Sequence, residues 1–122
     1  MGSPAILGID HVQVAAPPGC ELQARTFYGE LLGMSELPKP APIRARGGCW
    51  FRAGEQELHV GVEEPFVPAR KAHPGLVAAD LEAIRTRLRA AGIVFEDDAR
   101  IAGVDRLFVG DPFGNRLEIR GR

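Results

Sequence analysis

Three stretches of the chain alternate apolar and polar residues. In HVQVAA, Val12 and Val14 alternate with His11 and Gln13. In QELHVGV, Leu58, Val60 and Val62 alternate with Glu57, His59 and Gly61. In RLEIR, Leu117 and Ile119 alternate with Arg116, Glu118 and Arg120. A period of two sends the two sets to opposite faces of a strand. Two other stretches follow a helical period. Leu22, Phe27, Leu31 and Leu32 share one broad face of a helix expected over 21–32. Leu81, Ile84 and Leu88 do the same after Asp80, a good N-cap for a helix running to Ala91. Gly33 and Gly92 stand where such helices end.

Shorter signals fill in the order. A strand is expected over 6–15, a short one over 34–37, and a loop over the proline- and glycine-rich 38–48. Residues 49–52 and 56–62 read as a hairpin turning at Ala53-Gly54-Glu55. Either Cys49 and Phe51 or Trp50 and Arg52 face the polar side, and the pattern leaves that open. In the second half, strands are expected over 73–78, 94–96, 106–109 and 116–120, with a turn at Asp111-Pro112-Phe113-Gly114-Asn115. The order is therefore βαβββ (5–62), a connector (63–72) and βαβββ (73–120). Spacing supports a repeat: Gly33 to His59 and Gly92 to Glu118 are each 26 positions. An α+β fold of two such modules with curved mixed sheets follows, as one domain over 1–122.

Composition narrows the function classes. At 122 residues and 45% hydrophobic, the chain is long enough for one packed core. Its 15 basic and 16 acidic residues are scattered, which points away from nucleic acid and anionic membranes. Cys20 and Cys49 form no CxxC pair, and MGSPAILGID lacks the basic and long apolar parts of a secretory signal. A soluble, cytoplasmic protein with free thiols is expected.

The polar strand faces carry the candidate chemistry. His11, His59 and His73 are the chain's three histidines. With Glu118 they occupy matching places in the two modules. A lone histidine is most often structural, and a polar strand face is most often simply wet. Four nitrogen and oxygen donors at equivalent places weaken that reading. If they converge, they suit Zn, Fe(II), Ni, Mn or Co and leave room for substrate. A narrower set of His11, His73 and Glu118 is a two-histidine, one-carboxylate arrangement. Trp50, Phe51, Phe108, Phe113, Arg52 and Arg106 are candidates for holding substrate, the arginines through an anionic group. Each also has an ordinary reading as core or surface.

The segments DHVQVAAP, FYGELLGM, HPGLVAADLEAIRTRLRAAGI and DPFGNRLEI resemble the vicinal oxygen chelate superfamily. It includes glyoxalase I, bleomycin-resistance proteins, fosfomycin-resistance thiol transferases and extradiol dioxygenases. The resemblance spans nearly the whole chain. It implies a divalent metal on His11, His59, His73 and Glu118, with Glu118 also moving a proton, and a small substrate chelated through adjacent oxygens. It also implies a homodimer whose sites combine residues of both chains. His59 departs from the glyoxalase I pattern, which tends to have a carboxylate there. A lyase or isomerase is the favoured activity. A metal-free drug-binding protein of the bleomycin-resistance kind and an Fe(II) extradiol dioxygenase are the alternatives.

Overall fold

The computed structural model describes residues 2–122. Module one runs β1 (His11–Ala16), α1 (Glu21–Ala24, continuing as π-helical turns over Arg25–Leu31), β2 (Glu36–Leu37), α2 (Ala41–Arg44), β3 (Cys49–Ala53) and β4 (Gln56–Val62). Module two runs β5 (Gly75–Val77), α3 (Leu81–Ala90), β6 (Phe95–Asp98), β7 (Arg106–Gly110) and β8 (Arg116–Arg120). Each module builds one four-stranded sheet, in the orders β1-β4-β3-β2 and β5-β8-β7-β6. In both, the first strand lies parallel to the last and the remaining pairs are antiparallel. The expected repeat is present in topology and in register. Gln13, two residues after His11, pairs with His59, and Gly75, two residues after His73, pairs with Glu118.

The apolar strand faces and the helices share a single core. Val14, Leu58 and Val60 of the first sheet join Leu107, Val109, Leu117 and Ile119 of the second, with Phe27, Tyr28, Leu81, Ile84 and Leu88 from the helices. Asp80 caps α3 as its sequence position demands, its carboxylate accepting from the Ala83 N–H at 3.1 Å. The first helix departs from the expected pattern. Its wide turns bring the consecutive residues Phe27 and Tyr28 both inward, while Leu22 is 76% exposed. Wider turns rotate successive residues by less than an α-helix does, which moves the inward face away from the one an α-helical period gives.

Other expectations shift as well. The first strand starts at His11, where pairing with β4 begins, and Ile6, Leu7 and Ile9 before it are exposed. The fifth starts at Gly75 rather than His73. The expected loop over 38–48 contains α2, which Pro42 helps to start because its fixed φ suits a first helical turn.

A buried polar cluster joins the modules. Asp111 accepts from the Tyr28 hydroxyl at 2.6 Å, the Asn115 side chain at 2.9 Å and the backbone N–H groups of Phe113 and Asn115. Asn115 also donates to the Ala15 carbonyl at 2.7 Å, so the turn before β8 is fastened to β1. A groove of ≈ 940 Å³ opens between the apolar sides of the two sheets, with Val12, Leu58, Leu76 and Ile119 among its walls. No helix among the described residues is long and apolar enough to cross a membrane.

Candidate metal centre

The polar sheet faces hold two clusters, one per module. In the first, Trp50 is paired with His59 across β3 and β4, which settles the hairpin: Trp50 and Arg52 share the polar face, and Cys49 and Phe51 enter the core. The Trp50 and His59 rings lie parallel, 3.9 Å apart with 3° between planes. His11 stacks on His59 in turn, at 4.2 Å and 15°. Three aromatic rings thus form a column on the strand face. His59 is buried within it and bonds Glu57 Oε1 through Nε2 at 2.9 Å. Arg52 lies 3.7 Å from the other Glu57 oxygen.

The tautomers follow from the partners. Asp10 Oδ1 sits 2.9 Å from Nδ1 of His11. An ionised carboxylate only accepts, so Nδ1 donates and Nε2 keeps its lone pair for a ligand. His59 is different, since its Nε2 donates to Glu57. Parallel rings also point their in-plane lone pairs side by side, whereas two imidazoles on one ion need planes that meet at it. In this arrangement the His11 and His59 rings do not aim at a common point.

In the second cluster, His73 Nε2 lies 3.2 Å from Glu118 Oε1. Its Nδ1 donates to the Lys71 carbonyl at 2.9 Å, which turns Nε2 toward Glu118. Nε2 meets that oxygen either through its own proton, as a hydrogen bond, or through a cation that takes the proton's place. Arg106 Nη1 is 3.3 Å from the same Glu118 oxygen. Burial works to raise the Glu118 pKa, but the hydrogen bonds and charges of His73 and Arg106 outweigh it and hold the carboxyl below its ordinary value. Phe108, paired with Glu118 on β7, occupies the place that Trp50 occupies in module one. His73 meets its ring edge-on at 5.4 Å.

The chain therefore brings His11 to His59 and His73 to Glu118. Among the described residues no three metal-capable side chains converge within one chain. Two sequence candidates for substrate contact are placed elsewhere. Phe51 is fully buried in the core because β3 turns that side inward, and Phe113 packs from its turn against the same core. Two orienting groups were missed from sequence, Asp10 and Glu57. Each lies one or two positions from the histidine it holds, and that adjacency is the signal that could have revealed them.

No protein-family model and no curated protein matches the chain. Solved structures do. A glyoxalase family protein from Bacillus anthracis is 50% identical over 99% of each chain, with a TM-score of 0.95. A lactoylglutathione lyase from Agrobacterium tumefaciens is 20% identical over 97% of this chain and 96% of its own, with a TM-score of 0.74. An integron cassette protein from V. cholerae is 18% identical over 98% of each chain, also at 0.74. The last two share the fold. The first shows the family, and this protein belongs to the glyoxalase family of the vicinal oxygen chelate superfamily.

Proposed function

We propose that the protein is a metal-dependent enzyme that binds a small substrate through adjacent oxygens, with lyase or isomerase chemistry. The ligands in this reading are His11 of one protomer and His73 and Glu118 of a second copy. The observation that carries it is the orientation of the two imidazoles. The Asp10 carboxylate and the Lys71 carbonyl each accept from an Nδ1–H, so both rings turn Nε2 to the other side, and His73 does so beside Glu118. That donor set suits a divalent ion of the zinc or iron class. When bound, such an ion supplies Lewis-acid polarisation of the chelated oxygens.

The chain's own residues supply the rest. Glu118, held ionised by His73 and Arg106, accepts a proton from the substrate and returns it to the neighbouring atom. His59, fixed by Glu57 and flanked by Trp50, holds the His11 ring in place from behind. A homodimer supplies what one chain separates, since each protomer carries one histidine pair and one histidine–glutamate pair.

One observation favours a second reading, a metal-free binding protein. The Trp50–His59–His11 column is an aromatic wall on which a flat molecule could stack, and Arg106 already neutralises Glu118 without an ion. Metal analysis of protein purified without an affinity tag or added metal separates the two. Oxygen uptake on catechols by an iron-loaded protein would instead favour the dioxygenase.

A further inference from the structure

The two modules carry opposite charge at corresponding places. Two residues before His59 stands Glu57, which is engaged by His59 and faces Arg52. Two residues before Glu118 stands Arg116. Its guanidinium lies 4.2 Å over the Phe108 ring, and among the described residues it has no hydrogen bond or ion pair. Arg106 approaches the same ring at 5.1 Å. It spends Nη1 on Glu118 and Nη2 on Asp98, while its Nε is buried without an acceptor. Asp98 is already shared with Arg100. This face of the second sheet thus holds more donors than acceptors, beside the His73–Glu118 pair.

We propose that Arg116, supported by the charge of Arg106, is a recognition subsite for a carboxylate on the substrate. A guanidinium seated over an aromatic ring is held there by cation–π attraction, and its N–H groups, bonded to no acceptor among the described residues, stay free for a planar anion. Phe108 supplies the apolar floor beneath that bond. The substrate class that follows is a small organic acid whose carboxylate sits beside the atoms undergoing chemistry. The location rests on reading His73 and Glu118 as part of the reaction centre, but the binding itself does not need the metal.

The test is an NMR chemical-shift titration of the full chain, as purified and again after metal removal, with benzoate and its neutral isostere benzamide. Benzoate should bind in both preparations and benzamide should not. Arg116→Gln should weaken benzoate about tenfold or more, as loss of charge-assisted hydrogen bonds does. Arg116→Lys should recover part of the affinity, and metal content should be the same in all variants. Equal binding of benzamide, no benzoate binding, or unchanged binding in Arg116→Gln overturns the proposal. Arg116-dependent benzoate binding to a protein that never takes up metal would keep this subsite and remove the metalloenzyme reading. Metal uptake without benzoate binding would do the reverse.

Discussion

His59 is the residue whose surroundings change its meaning most. Its sequence position is that of a ligand, matched by register to Glu118. Its neighbours are Trp50 on one face, His11 on the other and Glu57 on the ring edge, which in the proposed reading make it a support. Nothing in the period of β4 distinguishes these roles, because the difference lies in contacts between strands. The same holds for Asp111, whose bond to Tyr28 spans 83 positions. The cysteines show how burial acts at this scale. Cys49 is fully buried, and desolvation pushes its thiol up to about 11. Only the thiolate attacks an alkylating agent. Native protein treated with iodoacetamide at pH 8 should therefore leave Cys49 unmodified by mass spectrometry, with rapid labelling after unfolding in urea. Rapid native labelling of Cys49 would contradict its placement.

Helix and strand order was legible because hydrophobic period and caps are local. Asp80, Gly33 and Gly92 marked their helix ends, and the terminal strand of each module carried its polar face as read. The π-helical turns were not legible, since no local residue pattern in 25–31 separates them from an α-helix. A tight approach between segments occurs at Gly48. Its φ is +86°, a Cβ there would stand 2.1 Å from the Val60 carbonyl oxygen, and its N–H donates to Glu21 at 2.6 Å. That bond holds the Glu21 carboxyl below its ordinary value. The stabilisation is complete above pH 4.5 and is lost as pH falls through the lowered value. Gly48→Ala combines a forbidden backbone conformation with a backbone clash. It should cost about 3 kcal/mol or more in urea denaturation, or prevent folding. A loss below about 1 kcal/mol would mean that the strand entry is laxer than this geometry.

At the scale of the molecule, both modules turn apolar faces to one core, and their polar faces carry separate halves of a candidate centre. The repeat in spacing gave that division directly. In the proposed reading the halves meet across two copies, which no single-chain pattern can show. A C2 dimer brings the same pair of surfaces together twice and completes two sites at once. Light scattering of the purified protein should give the mass of a dimer. A monomer that keeps full metal occupancy would rule out a site shared between chains.

The most direct test is elemental analysis of protein purified without a tag or added metal, alongside its variants. About one transition-metal ion per chain is expected, as a site with three protein ligands should retain. His11→Ala, His73→Ala and Glu118→Ala should each lose it. His59→Ala should keep most of it, while the emission of Trp50, the sole tryptophan, changes as its stacking partner is removed. A folded protein that carries no metal and takes up none of Zn, Fe(II), Mn, Ni or Co would contradict the metalloenzyme outright.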